Sequence, residues 1–102
     1  MASDFNEASQ VTVNADTAQA SEATTFAADR PVDISIRETV ATYSGTIHLQ
    51  RKLPSESTWQ DVDNWVDAFE GQMAVGNPKF EYRLICKSGN YTSGTALAGL
   101  YQ

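Results

Sequence analysis

Residues 32–37 read Val-Asp-Ile-Ser-Ile-Arg, an unbroken alternation of apolar and polar side chains. Alternation with a period of two is typical of a β-strand that has one face in a core and the other in solvent. Residues 46–51, Thr-Ile-His-Leu-Gln-Arg, repeat the pattern with Ile47 and Leu49 in the apolar phase. The two stretches predict two half-buried strands.

Further strands are predicted toward the carboxyl end, over residues 58–65, 80–86 and 95–101. Gly76-Asn77-Pro78 is the clearest turn between them, while residues 67–71 are ambiguous. Strands that recur roughly every ten residues, without a convincing helix, are typical of a sandwich or a barrel. We therefore predict an all-β fold, a compact antiparallel β-sandwich of immunoglobulin-like or jelly-roll-like type with an extended N-terminal arm.

The composition changes near Pro31. Residues 1–31 hold eight alanines and five acids but few large apolar side chains, and such a segment cannot offset its own ordering entropy alone. We expect residues 1–31 to form an arm that is disordered or becomes ordered on a partner, with residues 32–102 as the sandwich domain. We expect residues 5–28 to be the part of this arm that a partner orders, and residues 15–23 could also form a short helix.

Charge and composition exclude several classes of function for this chain of 102 residues. Thirteen acids against seven Lys and Arg give a net charge of −6, which disfavours nucleic acid and anionic membranes as partners. No apolar run approaches the roughly 20 residues of a spanning helix, and residues 1–4 lack the basic start of a signal peptide. One Cys and one His exclude a disulfide framework and metal sites built on several thiolates or histidines.

No constellation of residues indicates catalysis. His48 falls on the outward phase of its strand without a second His, and Cys86 shares a phase with Tyr82 and Leu84, as a small buried hydrophobe would. The four acids of residues 61–70 lack the Asn, Gly and Glu spacing of a calcium loop, so we read them as a solvated face. We predict no enzyme activity, no catalytic residue, no metal site and no cofactor.

Trp59 and Trp65 are the aromatic residues of greatest interest. Their separation of six places both on one face of a regular strand, with Val62 opposite and toward the core. Either both tryptophans are exposed or a β-bulge turns one of them to the other face. The pair could stack on sugars, anchor a protein interface, or cover the end of the core.

Four short motifs together resemble small virion proteins of tailed bacteriophages. They are Ser-Gly-Thr-Ile-His-Leu-Gln-Arg at 44–51, Thr-Trp at 58–59 with Val62, Tyr-Arg-Leu at 82–84, and Tyr-Thr-Ser-Gly-Thr at 91–95. The family pattern has a Gly-Thr-Val-x-Leu-Gln-Arg strand, an acidic Gly-rich turn, Thr-Trp, a Tyr-Arg strand and a Tyr-Thr-Ser-Gly-Thr hairpin. The resemblance covers residues 32–102 and departs at residues 54–57, where Pro-Ser-Glu-Ser replaces Asp-Gly-Gly.

The resemblance implies a capsid decoration, or cement, protein on the outer surface of a phage head, assembled in the host cytoplasm. Its partners would be the major capsid protein, whose neighbouring subunits it bridges, and other copies of itself in a homotrimer. The arm could add residues 10–13 as a strand to a neighbouring sheet. The predicted partner contacts are Phe5, Val11, Val13, Phe26, Tyr43, Trp59, Trp65 and Tyr91.

Two alternatives remain open. The first is a carbohydrate-binding or fibre-tip module in which Trp59 and Trp65 stack on sugar. The second is a structural protein of the same fold at the head–tail junction or on the tail, because a fold does not by itself fix a function.

Overall fold

The computed structural model describes residues 8–39 and 42–102. This part of the chain forms nine β-strands and contains no helix that is long and apolar enough to cross a membrane. The strands are β1 (Ala8–Val13), β2 (Gln19–Ala20), β3 (Val32–Glu38), β4 (Ser44–Lys52), β5 (Gln60–Val66), β6 (Phe69–Met73), β7 (Glu81–Cys86), β8 (Tyr91–Ser93) and β9 (Ala96–Tyr101).

The strands form two antiparallel sheets that enclose one core. The four-stranded sheet has the order β1-β9-β3-β6, and the five-stranded sheet has the order β2-β7-β4-β5, with β8 also pairing with β4. Because side chains alternate across each strand, one face of each sheet supplies apolar residues to the space between them, including Ile34, Ile47, Leu84 and Leu100. The predicted all-β antiparallel sandwich is confirmed.

The extended N-terminal segment is paired within its own chain from Ala8 onward. β1 pairs with β9 and β2 pairs with β7, while Val13 and Phe26 lie in the core. The described part of the leader therefore belongs to the sandwich, which places the sandwich boundary before residue 32. It needs few apolar side chains because the sheets that it joins already supply most of the core. Residues 15–23 include β2 rather than the helix considered from their alanine content.

A β-bulge in β5 resolves the conflict of phase between the two tryptophans. Leu49 pairs with Asp63 and Gln50 pairs with Asp61, so Val62 is the extra residue. Val62 is 45% exposed, and the expectation that it lies toward the core is wrong. Because the extra residue shifts the alternation by one position, Trp65 faces the core side of the sheet and Trp59 lies toward its outer side.

Candidate interaction surfaces

The eight predicted contact residues lie in three different environments. Phe5 lies outside the described residues, and four of the others, Val11, Trp59, Trp65 and Tyr91, are half-buried. Val13, Phe26 and Tyr43 are at most 3% exposed. These three side chains lie between the sheets, so in the folded chain they stabilise the core and do not reach a partner.

Tyr43 and Tyr91 both lie where β8 meets β4. Tyr43 is so close to Gly45 that a Cβ at position 45 would lie 2.6 Å from its hydroxyl oxygen, and burial raises its pKa. The Tyr91 hydroxyl donates to the Gly94 carbonyl at 2.7 Å, across a turn in which Gly94 has a φ of 82°. The motif at 91–95 therefore fixes a turn, and a contact role for Tyr91 remains a prediction.

The outer side of the five-stranded sheet carries an aromatic side chain covered by cations. The guanidinium carbon of Arg83 lies 4.3 Å from the centre of the Trp59 ring, and Lys52 Nζ lies 5.4 Å from it. A cation at this distance over an indole is attracted by the negative face of the ring. Arg83 and Lys52 reach Trp59 because both occupy the outward phase of adjacent strands, β7 and β4.

Hydrogen bonds continue from Arg83 across the sheet. Its Nε donates to Gln50 Oε1 at 2.8 Å, and Gln50 Nε2 donates to Asp61 Oδ1 at 2.9 Å. Lys87 Nζ donates to the other carboxylate oxygen of Asp61 at 2.7 Å. This bond with Lys87, together with that from Gln50, holds the pKa of Asp61 below its usual value. The side chains are thus linked in one fixed arrangement.

We call this surface the Trp59 face; it comprises His48, Gln50, Lys52, Trp59, Asp61, Glu81, Arg83 and Lys87. Lys52 pairs with Glu81 at 3.0 Å. Three of the seven basic residues of the chain lie here with two acids, which gives the face a charge of +1 on a molecule of −6. His48 is on the predicted outward phase but is half-buried rather than fully solvated.

Trp65 lies on the other side of the bulge, beside a cleft between β5 and β6. Its ring stacks on Phe69 with the ring centres 4.6 Å apart and the planes at 15°. The cleft has a volume of about 420 Å³, and Arg51, Asp63, Met73 and Tyr82 also line it. We call it the β5–β6 cleft. Trp59 and Trp65 therefore belong to two different surfaces.

The four acids of residues 61–70 bind different groups instead of converging. Asp61 accepts from Gln50 and Lys87, and Asp63 accepts from the backbone N–H of Asn64 at 2.8 Å. Asp67 accepts from the backbone N–H of Gly45 at 3.2 Å, and Glu70 accepts from Ser35 at 2.6 Å. No three His, Cys, Asp or Glu side chains are grouped as for a metal ion within residues 8–39 and 42–102.

Cys86 is a buried free thiol, 0% exposed, as its strand phase predicted. Burial raises its pKa, so the thiolate that would act as a nucleophile is disfavoured at neutral pH.

The cationic partners of Trp59 were not anticipated from the sequence. The strand phase that buries Tyr82, Leu84 and Cys86 turns Glu81, Arg83 and Lys87 to the other face, but a phase does not reveal which strand lies beside it. The register of β4 with both β5 and β7 was needed to bring Arg83 and Lys52 to Trp59. The basic residues on the outward phase of each strand would have given Lys52, Arg83 and Lys87 as candidates, but not their contacts with Trp59 and Asp61.

Comparisons with protein-family models, with curated proteins and with solved structures found no match to this chain.

Proposed function

We propose that this chain is a structural protein of a tailed-bacteriophage virion, which binds the outer surface of the head and bridges neighbouring major capsid protein subunits. The order of the four motifs supports the virion assignment. The Trp59 face is the observation that supports binding to a protein shell.

The composition of the Trp59 face suits the centre of a protein interface. Trp and Arg are the residues most enriched among interface hot spots, and here Arg83 lies 4.3 Å from the centre of the Trp59 ring. The bonds from Arg83 to Gln50 and from Gln50 to Asp61 hold these side chains before any partner arrives. Prior ordering lowers the entropy lost on binding.

The charge of the face suggests the chemistry of the partner surface. A patch of +1 on a chain of −6 favours an acidic site flanked by neutral or weakly basic surface, because complementary charge increases the association rate and fixes orientation. Each contact of this type is modest in free energy. A homotrimer that engages several subunits at once would raise the total affinity through effective concentration.

The carbohydrate alternative retains only one of its two tryptophans. Trp59 and Trp65 lie on opposite faces of the five-stranded sheet, so they cannot stack on one oligosaccharide as a common platform. Trp59, with Gln50 and Asp61 nearby, still offers a ring beside hydrogen-bonding groups. Titration with glycans followed by tryptophan fluorescence tests this alternative, and a saturable shift at submillimolar sugar would favour it.

Uptake by empty shells tests the proposal. Purified protein is mixed with expanded, undecorated phage heads, and the bound fraction is measured by sedimentation. We expect stoichiometric uptake, and Arg83→Ala should weaken it by about tenfold or more, as for an interface hot spot. Arg37→Ala is the matched control, because Arg37 is exposed on the other sheet. Absence of uptake would contradict the proposal and favour the tail or head–tail alternative. Equal uptake of Arg83→Ala and Arg37→Ala would show that the Trp59 face is not the surface that binds the shell.

A further inference from the structure

The β5–β6 cleft is an aromatic recess with an open mouth. Trp65 and Phe69 stack at one side, and Tyr82, which is buried, lies at the base. Val62, the bulged residue, lies at the rim and is 45% exposed. A recess of about 420 Å³ with these walls can receive one large apolar side chain from outside.

Arg51 supplies a positive charge to the same cleft. Its guanidinium carbon lies 4.5 Å from the centre of the Phe80 ring, and the side chain is half-buried. Within residues 8–39 and 42–102, Arg51 makes no ion pair. A half-buried guanidinium beside aromatic walls favours a carboxylate ligand, because the two can form charge-assisted hydrogen bonds. Asp63 on the lining disfavours a second carboxylate close to it, which restricts the orientation of the ligand.

The chain itself contains a matching ligand. Asp4-Phe5-Asn6 places a carboxylate directly before an aromatic ring and an amide directly after it. The ring of Phe5 complements the Trp65–Phe69 wall, the Asp4 carboxylate complements Arg51, and the Asn6 amide can donate to Asp63. All three residues precede Ala8, where β1 begins.

Distance excludes the cleft of the same copy. Phe5 is three residues before Ala8, so its Cα lies at most about 10 Å from that residue. β1 and β6 form opposite edges of the four-stranded sheet, which three strand spacings make about 14 Å wide. Even with the length of the Phe5 side chain added, the segment would only reach the far edge of the sheet, and it would still have to pass around β6 to enter between the sheets. A neighbouring copy presents its cleft without this limit.

We propose that the β5–β6 cleft binds residues 4–6 of a second copy of this chain, with Phe5 against Trp65 and Phe69 and Asp4 on Arg51. The donating edge and the accepting edge are different surfaces, so the contact is heterologous and closes into a ring when the rotation between copies permits. A homotrimer is one such ring. This self-association goes beyond the proposed binding to a phage head and is measurable without it.

Sedimentation of the full-length chain over a micromolar to submillimolar range tests the proposal. We expect the chain to self-associate and Phe5→Ala to raise the dissociation constant by about tenfold to a hundredfold, the effect of losing one buried aromatic ring. Val66→Ala is the matched control. Val66 is an apolar residue of β5, the strand that carries Trp65, but it is 67% exposed and does not line the cleft. This variant should associate as the natural chain does.

Charge exchange tests the second contact. Asp4→Arg should weaken association, and combining it with Arg51→Asp in the same chain should restore it in part. A synthetic peptide of residues 1–8 should compete with association. A monomeric chain, or equal association of Phe5→Ala and Val66→Ala, would overturn the proposal. If the chain is monomeric and its uptake by shells requires Phe5, the proposal is also wrong. Residues 4–6 would then bind the capsid subunit and not a second copy.

Discussion

The two long edges of the sandwich differ in how the sheets meet. At one edge β1 lies over β2, and the hydroxyls of Ser9 and Ser21 are hydrogen-bonded at 2.7 Å, with both residues at most 5% exposed. The backbone N–H of Leu84 also donates to Ser21 Oγ at 2.9 Å. At the other edge, β5 and β6 diverge around the β5–β6 cleft. We call these the closed edge and the open edge.

The difference shows how each edge is protected from unwanted pairing. An exposed strand edge can pair with another chain, and at the closed edge the two sheets end in β1 and in β2, which has only two residues. At the open edge, β5 carries a bulge and two acids, Asp61 and Asp63, which discourage regular pairing. The same strand exposes Val62 and Val66. The closed edge therefore buries its contacts, and the open edge leaves apolar side chains exposed.

Two valine substitutions compare the edges most strongly. Val13→Ala should lower the free energy of unfolding by about 2 kcal/mol, because Val13 is fully buried and its loss leaves a cavity. Val62→Ala removes the same atoms at the open edge, where the side chain is 45% exposed. This substitution should change the free energy of unfolding by less than about 0.5 kcal/mol. Chemical denaturation measures both.

Equal destabilisation by the two substitutions would contradict the comparison. A small effect of Val13→Ala alone would indicate that β1 contributes little to the core and that the N-terminal segment is separable. Residues 8–31 would then belong to the arm that their composition predicts.

The strands with regular alternation were predictable because one face of each is buried throughout. β3, β4 and β7 were located to within one or two residues from period-two patterns. β1 was recognised as a possible strand but was assigned to a partner, since composition reports how many apolar side chains a segment has and not where they fit. Val13 and Phe26 fill space left by other strands, which no local pattern reveals.

The candidate surfaces were less predictable than the fold. The sequence required either exposed tryptophans or a bulge, and it did not locate the bulge at Val62. The register of β4 with β5 determines which side of the sheet each tryptophan takes, and register depends on the whole sheet. The stacking of Trp65 on Phe69 across the Asp67–Ala68 turn depends on that same register.

A serine pair compares a buried hydrogen bond with an exposed one. Ser21→Ala should lower the free energy of unfolding by about 1 kcal/mol, because it removes the partner of Ser9 at the closed edge and the side-chain acceptor of the Leu84 N–H. Ser35→Ala removes a bond to Glu70 on an exposed face and should have a smaller effect. Thermal unfolding of both variants provides the measurement, and an equal shift would show that the closed edge does not depend on its serines.

The smallest expected effect concerns the bond that attaches β5 to the rest of its sheet through Asp61 and Lys87. Because Lys87 and Gln50 donate to the carboxylate, the pKa of Asp61 is lower in the folded chain than in the unfolded one. The resulting stabilisation is present above the unfolded pKa and is lost as the pH falls through the folded pKa. The side chains of Lys87 and Asp61 are 38% and 45% exposed, so solvent screening keeps this stabilisation small. Titration of the Asp61 carboxyl carbon by NMR should give a lowered pKa that rises toward the usual value in Lys87→Met.

Lys79→Met is the control, since Lys79 is exposed and does not contact Asp61, and it should leave the titration unchanged. An Asp61 pKa that is the same with and without Lys87 would mean that β5 is held only by its contacts with β4, which are the backbone pairing and the Gln50 bond to Asp61. The open edge would then be freer to rearrange around a partner than the Lys87 contact indicates.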